Sequence, residues 1–384
     1  MISERPPLSL YVHLPWCVRK CPYCDFNSHE RPGELPEQAY LRVLLADLKD
    51  ELATVPGRRI GTVFFGGGTP SLLSAGFYRE FLARLNDSGQ LAADAEITLE
   101  ANPGTLEAGR FEGFREAGIN RLSIGVQSFD ALQLHNLGRI HGPEQAMAAA
   151  RAARAAGFDD FNLDLMHGLP GQTPGQALND LEQAIALAPT HISWYELTIE
   201  PNTAFWSRPP EQPDPDRMAE TEEAGFALLA GHGYQRYEIS AFARENRQCR
   251  HNLNYWGFGD YLGIGAGAHG KLTTAEGILR YRKTRRPEDY MDAGTTSTAG
   301  PGRVGETLIP EAEQPLEFLM NGLRLVEGVP REWMESRTRP GTAPVDRRLA
   351  ALREQGLLVA DPERLACTPA GLAHLNTVLL RLAG

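Results

Sequence analysis

Three cysteines fall within eight positions, Cys17-Val-Arg-Lys-Cys21-Pro-Tyr-Cys24, a C-x3-C-x2-C spacing. Soft thiolates this close together suit an iron–sulfur cluster or zinc. Three thiolates on one short loop can hold three irons of a cubane and leave the fourth iron without a protein ligand. That open corner would accept a bidentate small molecule through an amino and a carboxylate group. Zinc asks for a fourth protein ligand, which His13 or His29 would supply. The remaining cysteines, Cys249 and Cys367, stand alone, and an odd total of five is a poor disulfide framework. Cys367 sits in a hairpin-like stretch, where a small buried apolar role is the ordinary one.

Other residues could complete a site. Gly66-Gly67-Gly68-Thr69-Pro70 lacks Cβ atoms over three positions, so backbone can approach a ligand closely; by itself such a run equally marks a tight turn. Glu100 opens Glu-Ala-Asn-Pro, Gln127 ends Gly-Val-Gln, Arg139 ends Asn-Leu-Gly-Arg, and Asp164 lies in Asn-Leu-Asp-Leu-Met-His-Gly-Leu-Pro. Each alone suits a solvated or capping role. Together they offer acids for hydroxyl and ammonium groups and a guanidinium for a carboxylate. A second segment, Cys249-Arg-His251-Asn252-Leu-Asn-Tyr255-Trp256, pairs two ligand types with two large aromatics. Cys249 or His251 could bind a heme iron while Tyr255 and Trp256 cover a porphyrin face; a packed aromatic turn around a hydrogen-bonded histidine satisfies the same residues.

The elements that must position these groups alternate. Strand patterns rich in Val, Ile, Phe and Tyr lie at 8–14, 61–65, 95–100, 120–126, 160–166 and 191–198. Helical patterns fall between them at 37–53, 74–87, 106–117, 143–156 and 174–187; the first carries Tyr40, Leu41, Leu44, Leu45, Leu48 and Leu52 on one stripe, after Pro36. This alternation implies an α/β fold with a parallel sheet covered by helices, and ligands gather at the carboxyl ends of such strands, as an open sheet or as a curved partial barrel. Gly66–Thr69, Glu100, Gln127 and Asp164 all fall at strand ends.

Beyond residue 200 the chain turns Pro-rich (Pro209, Pro210, Pro213, Pro215), followed by a helix near 216–231, a strand near 234–241 and an aromatic, glycine-rich stretch at 249–270. Gly257, Gly259, Gly263, Gly265, Gly267 and Gly270 suit either a close-approach loop or a tight crossover. Residues 293–305 are small and polar, a mobile loop or boundary. Helical patterns at 314–326 and 345–355, a hairpin-like stretch at 357–367 and a closing helix at 370–382 resemble a winged-helix module, with a structural cap as its plain role. The balance of 38 basic and 49 acidic residues, a net −11, argues against nucleic acid. With no apolar leader and no long apolar run, the chain is expected in the cytoplasm, with no membrane span.

The cysteine spacing at the end of the first strand, with Tyr23 before the last cysteine, resembles the radical S-adenosylmethionine (SAM) superfamily. The resemblance implies a [4Fe–4S] cluster on Cys17, Cys21 and Cys24 with SAM on the open iron. It also implies Gly67, Gly68 and Thr69 at the SAM amino group, Glu100, Gln127, Arg139 and Asp164 as further SAM contacts, and Tyr11 and Tyr23 near the cluster. The fold it implies is a partial (β/α)6 barrel core over 1–200. A family-specific extension covers 201–310, and a small winged-helix-like α+β domain covers 311–384.

The motifs YVHLPWC, CPYCDF, FFGGGTPS, LEANP, GVQSF and DLMHGLPGQT, in order, resemble the oxygen-independent coproporphyrinogen III oxidase family. The oxidase type carries a further cysteine two places after the third, where this chain has Phe26, and an N-terminal extension that the early Cys17 leaves no room for. The H-N-x-x-Y-W stretch matches the HemW-type heme chaperones. That match implies heme bound near His251, Cys249, Asn252, Tyr255 and Trp256, and passed to acceptor proteins such as respiratory components, with a homodimer left open. The rival expectation is the oxidase reaction, radical oxidative decarboxylation of porphyrinogen propionates.

Overall fold

The computed structural model describes residues 5–31, 33–104, 109–296, 301–339 and 343–384. The alternation is realised as β1 (Leu8–Leu14), α1 (Glu37–Ala53), β2 (Ile60–Gly67), α2 (Ala75–Asp87), β3 (Leu91–Ala101), α3 (Phe111–Glu116), β4 (Arg121–Gln127), α4 (Ala131–Asn136), α5 (Pro143–Ala155), β5 (Phe161–His167), α6 (Pro174–Ala186) and β6 (His191–Glu196). Part of the helix expected at 106–117 lies outside the described residues. Period-two burial sets the strands: Leu8, Leu10, Val12 and Leu14 of β1 are at most 3% exposed on the helix-covered face, while Ser9, Tyr11 and His13 point the other way. Side-chain caps start the helices. Ser74 accepts from the Phe77 N–H at α2, and Thr173 and Gln176 form a reciprocal capping box at α6.

Residues after β6 do not fold away from this core. They form α7 (Ala204–Ser207), α8 (Pro215–Gly231), β7 (Gln235–Glu238), β8 (Ala241–Ala243), α9 (Arg250–Trp256), β9 (Asp260–Ile264), β10 (His269–Thr273), β11 (Ile278–Arg282), α10 (Pro287–Thr296) and β12 (Gly305–Leu308). All twelve strands share one sheet, ordered β12-β11-β10-β9-β1-β2-β3-β4-β5-β6-β8-β7. β1 to β6 run parallel, β9 adds parallel to β1, and the outer strands are antiparallel. The sheet has two edges and does not close. The middle segment thus lengthens the core sheet on both sides, and between β8 and β9 it crosses the amino ends of the strands as α9. The loop expected at 293–305 is in part helix α10, and in part outside the described residues.

The C-terminal unit comprises α11 (Gln314–Gly322), α12 (Arg331–Arg337), α13 (Ala343–Glu354), α14 (Pro369–Ala373) and α15 (Leu375–Ala383). Its wing is a two-residue ladder, Val329–Pro330 against Arg364–Leu365, extended by a Leu358–Cys367 bridge. Phe318, Leu319, Met334, Leu349, Val378 and Leu382 make a core that also takes in Cys367 and reaches Tyr237 and Phe258 beside the sheet. No described helix is long and apolar enough to cross a membrane.

One buried ion cluster ties α1 to the sheet's outer strands. Lys283 Nζ lies 2.5 Å from Asp47 and 2.7 Å from Glu51, Arg303 bonds Glu51 at 2.7 Å, and Tyr290 donates to Asp47 at 2.6 Å. Removing one partner strands buried charge, which costs about 3–5 kcal/mol. Lys283→Met is therefore expected to lower unfolding stability by about that amount in urea titration, and Asp47→Asn in the same chain to recover part of it. A loss below about 1 kcal/mol would place the cluster among weak surface pairs.

Candidate active-site cavity at the strand ends

A cavity of about 540 Å³ opens at the carboxyl ends of the parallel strands. Strand parity builds it: the face of β3 to β6 opposite the helices carries Glu100, Ser123, Gly125, Gln127, Asp164, Met166 and Tyr195, and all seven line it. Cys17, Cys21, Tyr23 and Cys24 form its opposite wall, and Gly67, Gly68 and Thr69 lie between.

The cysteine loop has little apolar content and is held largely by backbone contacts. A two-residue parallel ladder joins Trp16–Cys17 to His29–Glu30. The Gly68 N–H donates to the Leu14 carbonyl at 2.8 Å and the Thr69 N–H to Trp16 at 2.7 Å. At that approach a Cβ on Gly68 would sit 2.5 Å from the Trp16 carbonyl oxygen, so the glycine is a steric requirement. From the far side, Asn27 Nδ2 donates to the Ala266 and Arg285 carbonyls at 3.0 and 2.9 Å, and His13 Nε2 meets the Asn27 carbonyl at 2.9 Å. Gly267, at φ +86°, allows this approach; a Cβ there would fall 2.1 Å from the Asn27 amide nitrogen. The glycine-rich run after α9 is thus a crossover that braces the cysteine loop.

Around the thiols, Thr69 Oγ1 and Arg139 Nη1 lie 3.5 Å from Cys17 and Cys21 Sγ, and Ser28 Oγ 4.0 Å from Cys24 Sγ. Burial pushes the Cys17 and Cys24 thiols up. Among the described residues no three His, Cys, Asp or Glu side chains converge on a single ion. A cubane instead takes one thiolate per iron, at separate corners.

The polar wall is charged and incompletely satisfied. Glu100 accepts the Gly67 N–H at 3.1 Å, and its carboxyl is pushed up to about 8, first by burial and then by the facing Asp164. Asp164 accepts from Ser123 Oγ at 2.9 Å and Asn162 Nδ2 at 2.8 Å, and burial raises it as well. Arg139 donates to Asn102 Oδ1 at 2.7 Å and the Gly125 carbonyl at 2.8 Å, yet its buried Nε has no partner. Gln127 has a left-handed backbone, φ +70°, and accepts from Tyr195 Oη at 2.8 Å. Buried Asp180 holds the next turn, taking the Phe129 N–H at 2.7 Å and Ser128 Oγ at 2.6 Å. Tyr11 lies below the cavity, bonded to His13 Nδ1 at 3.0 Å. Three thiols, a close-approach backbone, two mutually repelling acids and a buried guanidinium fit a cubane cluster with a zwitterionic, cationic ligand.

The second segment is elsewhere. Cys249 and His251 are 1% and 9% exposed at the amino ends of the strands. Glu96 takes the Arg250 and His251 N–H groups at 2.9 and 3.0 Å, capping α9, and its carboxylate lies 3.6 Å from Cys249 Sγ. His251 Nδ1 bonds Thr62 Oγ1 at 2.9 Å, and its ring lies 5.0 Å from Phe64. Burial pushes the thiol up to about 12 and the imidazole down to about 3. Trp256 packs towards the C-terminal unit under Arg324, half-buried Asn252 follows His251 on α9, and Tyr255 is 37% exposed. These five residues therefore do not form one ligand-facing set in this fold; two of them plug the sheet's floor. Conversely, Asn102, Ser123 and Tyr195 belong to the cavity without having been expected there. For Ser123 the signal was period two counted back from Gln127 and for Asn102 period two forward from Glu100, whereas Tyr195 follows only from the strand register that pairs it with Met166.

Since Gly267 braces the cysteine loop through Asn27, Gly267→Ala is expected to reduce iron and sulfide per chain after anaerobic reconstitution to roughly half or less of wild type. Normal counts would show that the loop holds itself.

Comparison with known proteins agrees with this geometry. Residues 11–184 match the model of the radical SAM superfamily, and residues 309–374 that of the HemN C-terminal domain. The chain is 50% identical over 377 residues to the heme chaperone HemW of Escherichia coli (strain K12), covering 97% of each. It is 48% identical over 383 residues to that of Haemophilus influenzae, covering 98% of each. Against the mitochondrial radical S-adenosyl methionine domain-containing protein 1 of Bos taurus, identity is 36% over 97% of this chain and 87% of that one. The solved coproporphyrinogen III oxidase (HemN) of E. coli shares the fold at a TM-score of 0.83 and 23% identity, over 98% of this chain and 90% of that one. Matched from end to end by proteins named HemW, the chain belongs to the HemW family within the radical SAM superfamily.

Proposed function

We propose that this chain is a cytoplasmic heme-binding chaperone on a radical SAM scaffold, dependent on its cluster and SAM, that passes heme to acceptor proteins such as respiratory components. The observation that carries the reading is the 50% identity, over 97% of both chains, to a protein named heme chaperone. Phe26 supports it against the oxidase reading: it stands, 59% exposed, where the oxidase type has its fourth cysteine.

Membership of the superfamily brings a [4Fe–4S] cluster and SAM. Cys17, Cys21 and Cys24 would hold the cluster. Gly67, Gly68 and Thr69, with Glu100, Gln127, Arg139 and Asp164, would hold SAM, with Tyr23 beside the loop and Tyr11 beneath it. When bound, the two groups supply one-electron chemistry that amino-acid side chains lack. The chain's own work is placement. Glu100 and Asp164 offer charge to an ammonium and to hydroxyls, and Arg139 offers its free Nε–H to a carboxylate.

Two outcomes follow. Glu100 is protonated at neutral pH before a cationic ligand arrives, because its pKa lies near 8, and pairing with the cation favours the carboxylate. SAM binding near pH 7 is therefore expected to release a proton, read by calorimetry in buffers of differing ionisation enthalpy, with affinity rising as pH approaches 8. Glu100→Gln should abolish both effects. It should also stabilise the free protein at pH 8, because a raised carboxyl makes the native state lose stability as pH climbs from the unfolded value towards the folded one. Separately, heme added anaerobically to the reconstituted protein should give a shifted Soret band. Cys249→Ala with His251→Ala should lower the melting temperature, through loss of buried contacts, and leave that band in place. A lost band at unchanged stability would mean that α9 leaves its seat to ligate heme.

A further inference from the structure

The segment that opens α9 does not reach the cavity, yet a relay of hydrogen bonds joins the two. The Cys249 N–H donates to Tyr237 Oη at 3.4 Å, and Tyr237 Oη lies 2.9 Å from His191 Nε2. His191 Nδ1 lies 2.7 Å from Asn162 Oδ1, and Asn162 Nδ2 donates to Asp164 at 2.8 Å. A branch leaves Asn162 Nδ2 for Ser123 Oγ at 2.8 Å, and Ser123 donates to the other Asp164 oxygen at 2.9 Å. Cys249, Tyr237, His191 and Asn162 are all buried. A link lost from such a network leaves its partner unsatisfied in a medium of low dielectric.

The direction of the relay is set by its ends. A backbone N–H can only donate, and an ionised carboxylate can only accept. Asn162 therefore turns its amide nitrogen to Asp164 and its oxygen to His191. That oxygen also accepts from Ser193 Oγ at 3.1 Å. His191 then carries its proton on Nδ1. Burial, and after it the charge of Arg121, hold this imidazole well below its ordinary pKa, so the ring is neutral and Nε2 is an acceptor. Tyr237 donates to Nε2, and its oxygen is left to take the Cys249 N–H. Every donor in the relay thus points towards Asp164. Hydrogen bonds aligned in one sense polarise one another. Donation to the carboxylate favours its charged form, against the burial that raises Asp164.

We propose that His191 and Tyr237 are positioning residues for Asp164: the relay that starts at the Cys249 N–H fixes that carboxylate as an acceptor for the hydroxyls of a bound ligand. This rests on Asp164 being a SAM contact. It gives the start of α9 an influence on SAM affinity without any contact with SAM, because the seat of that helix and the orientation of Asp164 share one set of hydrogen bonds.

The test titrates the full-length, cluster-loaded protein with SAM, read by calorimetry and by the change that SAM makes in the EPR signal of the reduced cluster. Tyr237→Phe keeps the ring and removes the hydroxyl between His191 and Cys249. It is expected to weaken SAM roughly fivefold, with iron and sulfide counts unchanged. Tyr234→Phe loses a buried hydroxyl that donates to the Pro189 carbonyl at 2.7 Å, outside the relay, and should lower the melting temperature while SAM affinity stays as in wild type. Equal weakening by both variants would mean general loosening and would overturn the proposal. In the Asp164→Asn background, Tyr237→Phe should weaken SAM no further. In the wild-type protein, 15N shifts of labelled histidine, with His191 identified by His191→Gln, should show the Nδ1–H tautomer. The opposite tautomer would reverse the relay and sink the proposal even if Tyr237→Phe does not fold. Should Asp164→Asn leave SAM affinity untouched, the assignment of Asp164 to the ligand fails, and the proposal with it. Should Asp164→Asn weaken SAM while Tyr237→Phe matches wild type, only the proposal falls.

Discussion

The structure depends on holding a fifteen-residue loop, 16–30, that has almost no core of its own while leaving three thiols free to point one way. Buried apolar area cannot anchor such a loop, so geometry is imposed from outside. β1 and β2 grip it through Leu14 and Trp16 backbone bonds, α7 reaches Pro22, and the crossover after β9 reaches Asn27. The sheet's additional strands thus serve the site. By placing β9 beside β1, they deliver Gly265 to Ala268 beneath the loop, over two hundred residues away in sequence.

A second consequence concerns charge. Two buried ion clusters are fully paired: Asp47 and Glu51 meet Lys283 and Arg303, and Asp260 meets Arg58 and Lys271. At the strand ends it does the opposite, facing Glu100 with Asp164 and leaving Arg139 Nε unpartnered. Local frustration of this kind is stability forgone, the trade-off general to binding sites. The left-handed Gln127, pinned by Asp180 beyond the strand, is the backbone counterpart.

Between the two ends runs a polar interior. Asp164 bonds Asn162, Asn162 bonds His191, His191 bonds Tyr237, and Tyr237 accepts the Cys249 N–H at 3.4 Å. Helix α9 closes this column from below, and Glu96 neutralises its amino end. The aromatic segment thereby closes the sheet's floor, with its Cys249 and His251 held by Glu96 and Thr62.

Much was legible from residue order alone. The C-x3-C-x2-C spacing brings its three thiols to one wall of the cavity because a short loop needs no knowledge of the rest of the fold to do so. The strands emerge from period two, the helices from their stripes and caps, and strand ends mark where Glu100, Gln127 and Asp164 stand. Sequence order could not say that residues 235–308 extend both edges of the same sheet, that Asn27 leans on Ala266, or that His251 turns inward to Thr62. Those facts hang on partners far apart in the chain. A local pattern states which face a side chain takes, whereas what waits on that face is set only when the packed sheet brings distant segments into contact.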